Sequence, residues 1–117
     1  MKWLMEFAEA AQRTDRLADR PNHVELLAAG LMGEAGSVLA ELKKEHRERD
    51  AYPVYRHRMV EEVGDFLWYF VRLVSVVEPK LLSEFEVPSE PSRGPAEHAI
   101  PLFLDFGGAV GAVLALV

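Results

Sequence analysis

At 117 residues the chain is long enough for one small domain, and with 50% hydrophobic and 27% charged residues it has the composition of a folded core. A net charge of −6 removes the basic excess that binding a nucleic-acid polymer requires. The absence of cysteine removes disulfide and thiolate chemistry and agrees with a reducing cytoplasm.

The first element predicted is a short amphipathic helix over Leu4 to Leu17, with Leu4, Phe7, Ala8, Ala11 and Leu17 on one stripe, ending near Arg20-Pro21. Asn22 beside Pro21 marks a break and offers a cap for the next helix. That second helix should run from about His23 to Arg47. Asp50-Ala-Tyr-Pro53 is the turn, with Pro53 suited to a first helical position. A third helix follows from about Val54 to Val77 and stops before Glu78-Pro79, because a residue preceding proline disfavours the α region.

Residues 79–97 hold Pro79, Pro88, Pro91 and Pro95 and read as a Pro-rich linker with one short turn around Leu81 and Leu82. Residues 98–117 read as an almost wholly apolar helix. Pro101, Asp105 and the lack of flanking Lys or Arg set it against a membrane span, and Gly107 with Gly111 permits close helix packing. Gly33 to Leu42 also aligns without gaps on Gly108 to Val117, sharing Gly, Gly, Val, Leu and Ala, while His23 falls on His98 at the same offset. The apolar helix therefore reads as the start of a degenerate second repeat whose acidic positions have become apolar. The fold class is all-α, a helical bundle in which residues 1–78 form the core around an antiparallel hairpin of two long helices.

Chemistry concentrates on those two helices. Glu34 to Glu41 lie on the first, and Glu61 to Asp65 on the second. At about 100° per residue, Glu34 borders the apolar stripe of Leu27, Leu31 and Val38, with Ser37 and Glu41 beside it. On the second helix Glu62, Asp65 and Tyr69 border the stripe of Met59, Phe66, Phe70 and Leu73, while Glu61 turns outward with Trp68 and Arg72. A Glu beside an apolar stripe is ordinarily a solvated flank whose stem covers hydrophobic surface. The competing reading is that the hairpin aims Glu34, Glu62 and Asp65 at one point, where a hard divalent cation would find oxygen ligands.

Gly33-Glu34-Ala35-Gly36, followed by Glu62-Val-Gly-Asp65-Phe-Leu-Trp-Tyr69, resembles the MazG-like, all-α nucleoside triphosphate pyrophosphohydrolases over roughly Phe7 to Val77. Their signature is Glu-x-x-Glu on one helix and Glu-x-x-Asp on the next, and its second acidic position falls here on Ser37. The resemblance implies Mg²⁺, with Mn²⁺ as substitute, held by Glu34, Glu62 and Asp65, with Ser37 or Glu41 contributing weakly. It implies hydrolysis of a nucleoside triphosphate to the monophosphate and pyrophosphate, Tyr69 and Trp68 near the base, and a homodimer or higher homo-oligomer. The departure at Ser37 supports an alternative, a catalytically weak or inactive nucleotide-binding or assembly module.

Basic residues gather around the turn, Lys43, Lys44, Arg47, Arg49, Arg56 and Arg58, with Glu45, Glu48 and Asp50 interleaved. They read as a solvated hairpin tip, or, functionally, as a source of Lys43 or Lys44 for a substrate phosphate. His23, His46, His57 and His98 show no metal-ligand spacing and read as surface or capping residues. Glu6 interrupts the apolar run that a secretory leader would need, so the expected compartment is the cytoplasm.

Overall fold

The computed structural model describes residues 2–84 together with Gly111 and Ala115. The described residues are helical, without strands, in the order α1 (Lys2–Thr14), α2 (His23–Glu48), a 3₁₀ turn (Arg49–Ala51), α3 (Tyr55–Val77) and α4 (Leu81–Glu84). The domain boundaries expected at 79–97 and 98–117, the apolar helix and its reading as a second repeat lie almost wholly outside these residues. Among the described residues, no helix is long and apolar enough to cross a membrane.

The hairpin of α2 and α3 is the centre of the fold. Leu27, Leu31, Ala35, Val38 and Leu42 of α2 are buried at spacings of three and four, which turns one stripe of the helix towards α3. Phe66 and Leu73 of α3 meet that stripe, so the two helices close a shared core. Gly30 lies against Tyr69, and Glu41 meets Tyr52 just beyond the turn, so the helices run antiparallel. Fully burying a leucine such as Leu27 or Leu31 contributes about 2 kcal/mol, and this stripe is what holds the hairpin shut.

A second apolar side of α3, with Val71 and Val74, packs against Leu4, Ala8 and Ala11 of α1 and Leu82 of α4. α3 is therefore the middle element, covered by α2 on one side and α1 on the other. The short turn expected at Leu81 and Leu82 is α4, and Leu82 is buried in this second cluster.

Three local expectations are corrected. Asn22 precedes α2 but makes no side-chain cap hydrogen bond. Pro53 sits in the turn two residues before α3, whose N-cap is Val54. The first helix stops at Thr14 rather than Leu17, because the Asp15 side chain takes the Leu17 amide at 2.8 Å and folds the chain into a turn.

Asp15 also makes the largest departure from expectation. Its side chain is fully buried and accepts from Arg72 Nε at 2.9 Å, and its Oδ2 lies 2.7 Å from His23 Nε2. Arg72, expected to face outward, is 95% buried because α1 and its following turn cover that side of α3. Burial by itself would raise the Asp15 pKa, but the Leu17 amide, Arg72 and His23 together outweigh it and hold the carboxyl below its ordinary range. Its stabilising contribution is present above the usual aspartate range and is lost as pH falls through the depressed folded value.

Removing one partner of a buried ion pair leaves the other charge uncompensated. Arg72→Met should therefore destabilise the protein by about 3 kcal/mol, and Asp15→Asn combined with Arg72→Met should cost far less than the two single changes added together. Urea denaturation followed by circular dichroism measures this. Additive changes of under about 1 kcal/mol each would show that the pair does not clamp the fold.

Candidate metal centre

Glu62 and Asp65 stand three residues apart on α3, which puts them on one side of the helix, one turn above the other. Glu34 approaches from α2, whose antiparallel course brings it level with that turn. One carboxylate oxygen from each of the three can be chosen so that all lie within 4.8 Å of one another. Glu34 and Glu62 are half-buried and Asp65 is exposed. The structure thus brings together the three carboxylates singled out in the sequence.

The donor set fits a hard divalent cation. Oxygens on one octahedral Mg²⁺, at about 2.1 Å from the ion, are about 3.0 Å apart when adjacent and about 4.2 Å when opposite. The spread here, within 4.8 Å, is slightly wider than that range. Electrostatics agree. Burial raises the Glu34 pKa, and the charges of Asp65 and Glu62 raise it further. Three converging carboxylates with no cation among them repel one another, and a bound divalent ion reverses that sign.

Ser37, Glu41, Lys43 and Lys44 fall elsewhere. The Ser37 hydroxyl donates back to the Gly33 carbonyl at 3.3 Å, on its own helix. Glu41 is not part of the three-carboxylate group. It is buried at the hairpin end, accepting from the Tyr52 hydroxyl and from Lys44 Nζ at 2.9 Å, and these two hydrogen bonds hold its pKa down against burial. Glu41 is thereby committed to closing the α2–α3 turn. Lys44 is the other half of that pair and also lies over the Tyr52 ring, 5.8 Å from its centroid. Lys43, exposed and nine residues past Glu34, projects about 180° away from the carboxylates. Neither lysine is aimed at the centre.

Beside the carboxylates runs an open groove of about 420 Å³ lined by Thr14, Glu34, Asp65, Trp68 and Tyr69. Trp68, expected to be exposed, is half-buried; its indole N–H donates to Thr14 Oγ1 at 2.9 Å and its ring meets Tyr69 edge to face, centroids 5.0 Å apart. Tyr69 in turn lies flat against the α2 backbone at Gly30. A Cβ at that position would come within 2.1 Å of the ring. Gly30 and Thr14 carried no signal in the sequence, since one is among three glycines of α2 with nothing to mark it from Gly33 and Gly36, and the other is a helix-end threonine. His23, read as a surface or capping residue, instead serves the Asp15 pair.

No protein-family model matches the chain, and no curated protein or solved structure is significantly similar to it.

Two outcomes follow. Glu34→Gln removes one of three repelling charges, so it should raise the melting midpoint of the metal-free protein by about 2 °C and abolish the further rise that millimolar Mn²⁺ produces in wild type. A wild-type midpoint indifferent to Mn²⁺, with no calorimetric heat, would remove the metal centre. Gly30→Ala would ordinarily gain about 1 kcal/mol in a helix. Here the added methyl meets the Tyr69 ring, so the variant should instead lose about 1–3 kcal/mol in denaturant titration.

Proposed function

We propose that this protein binds a nucleoside triphosphate through a divalent cation and hydrolyses it to the monophosphate and pyrophosphate, as the resemblance of its two acidic helices to the MazG-like pyrophosphohydrolases implies. The observation that carries this reading is the convergence of Glu34, Glu62 and Asp65 beside a groove walled by Trp68 and Tyr69. Carboxylates alone would repel a triphosphate, so the ligand must come with its cation. A bound Mg²⁺ supplies neutralisation of phosphate oxygens and a more acidic water. The chain's own contribution is geometric. Glu62 and Asp65 from one turn of α3 and Glu34 from α2 fix where the phosphates lie, and the aromatic pair offers a ring face within reach of the same groove. Hydrolysis at the α-phosphorus adds water there and breaks its bond to the bridging oxygen, which leaves with pyrophosphate.

A second reading has its own observation. With the Ser37 hydroxyl turned back on Gly33 and Glu41 held by Tyr52 and Lys44, the carboxylate count stays at three where the signature has four. A three-carboxylate centre can bind a metal-nucleotide and turn it over slowly or not at all. The chain would then be a nucleotide-binding or assembly module, and self-association is proposed for either reading.

Pyrophosphate release over a panel of nucleoside and deoxynucleoside triphosphates with Mg²⁺ separates the two. Wild type should release pyrophosphate, Asp65→Asn should lower the rate at least a hundredfold with helix content intact, and Ser37→Glu should raise it by supplying the missing carboxylate one turn from Glu34. Hydrolysis at the wild-type rate in Asp65→Asn would discard the assigned site. Silence from both wild type and Ser37→Glu would leave binding or assembly as the function.

A further inference from the structure

We propose that Thr14 is a positioning residue for the groove: the Asp15–Arg72 pair pins the end of α1 to α3, and Thr14 there holds the Trp68 indole edge so that the aromatic wall is set before any ligand arrives. Its role in ligand binding rests on the nucleotide reading above, whereas its hold on Trp68 does not.

The geometry runs through three contacts. Asp15 Oδ2 takes Arg72 Nε at 2.9 Å, which anchors the residue next to Thr14 against the C-terminal part of α3. Thr14 Oγ1 donates to the Ala11 carbonyl at 3.0 Å and accepts from Trp68 Nε1 at 2.9 Å. A hydroxyl has one proton to give, so with Ala11 taking it the oxygen faces Trp68 as an acceptor. Trp68 has one donor, and it is spent on Thr14. Its ring then meets Tyr69 nearly perpendicularly, at 82°, and Tyr69 is seated on Gly30. Thr14, Trp68 and Tyr69 all line the groove with Glu34 and Asp65.

The Thr14–Trp68 bond lies at the surface, where exchange with water makes a hydrogen bond worth little net stability. What such a bond does fix is direction. Both hydrophobic clusters already hold the body of the Trp68 ring, and the bond at its nitrogen selects the orientation in which the indole edge faces Thr14. A preset wall also lowers the entropy lost when a planar group stacks on it. The wall's donor capacity is reduced by the same contact, so it recognises a ligand by ring stacking rather than by donating from Trp68.

The test uses Trp3→Phe protein, in which Trp68 is the sole remaining tryptophan. In that background Thr14→Val keeps the shape and removes the hydroxyl. The metal-free variant should show a red-shifted Trp68 emission and lower fluorescence anisotropy, with a melting midpoint close to the parent's, and Thr14→Ser should restore both signals. Mn²⁺ affinity should stay within about twofold of the parent. Affinity for ATP with Mn²⁺ should fall about tenfold, while that for inorganic tripolyphosphate with Mn²⁺ should not change. Unchanged emission and anisotropy in Thr14→Val would overturn the tether. Equal weakening of ATP and tripolyphosphate would overturn its role in the wall. If the parent binds neither phosphate compound, the nucleotide reading fails, and the fluorescence of the metal-free protein still decides whether Thr14 holds Trp68.

Discussion

The described fold depends on one buried carboxylate. Asp15 lies in the turn after α1, yet it is in contact with the first residue of α2 and with the C-terminal part of α3 through His23 and Arg72. Hydrophobic contact alone specifies which faces of α1 and α3 meet, but it tolerates sliding along the helix axis. A charged pair sealed from water does not, since a shift of one residue would strand Asp15 or Arg72 without a partner at several kcal/mol. The buried pair therefore opposes a slip between α1 and α3, while Leu4, Ala8, Ala11, Val71 and Val74 supply the packing. The same clamp fixes the α1–α2 turn, through the Leu17 amide.

The acidic centre sits under the opposite constraint. Glu34, Glu62 and Asp65 are brought close without an ion-pair partner among the described residues, and burial together with the charges of Asp65 and Glu62 raises the Glu34 pKa. At the other end of the hairpin Glu41 is buried more deeply but given Tyr52 and Lys44, and its pKa falls. The contrast between two glutamates seven residues apart on one helix distinguishes a carboxylate that supports the fold from one available to a ligand. A carboxylate whose pKa is raised by burial and by neighbouring carboxylates is the kind of group found at functional sites.

Much of this was legible in the chain. Apolar residues at spacings of three and four marked α2 and α3 to within a residue or two, and the same arithmetic put Glu34, Glu62 and Asp65 on the borders of facing stripes. Arg72 and Trp68 were misread because a helical projection drawn against one partner has one inside, whereas α3 has two. Their side of α3 looks polar until α1 is laid across it, at which point Arg72 finds Asp15 and Trp68 finds Thr14. Glu41 was misjudged for a related reason. Its angle placed it beside Glu34, but angle carries no knowledge of the turn that folds Tyr52 back onto it.

The amino-acid order by itself determined the helical class and the hairpin and put three carboxylates on the borders of facing stripes, because each follows from periodicity within a single helix or between consecutive ones; that the three converge was decided by the packed hairpin. Contacts between residues distant in sequence were decided only by the tertiary structure. The Asp15–Arg72 pair spans 57 residues and the Thr14–Trp68 bond spans 54. Tyr69 likewise reaches across the hairpin to rest on Gly30. No local pattern encodes such partners, since an aspartate in a turn, an arginine on a helix and a helix glycine are each satisfied by water or open space until packing removes it.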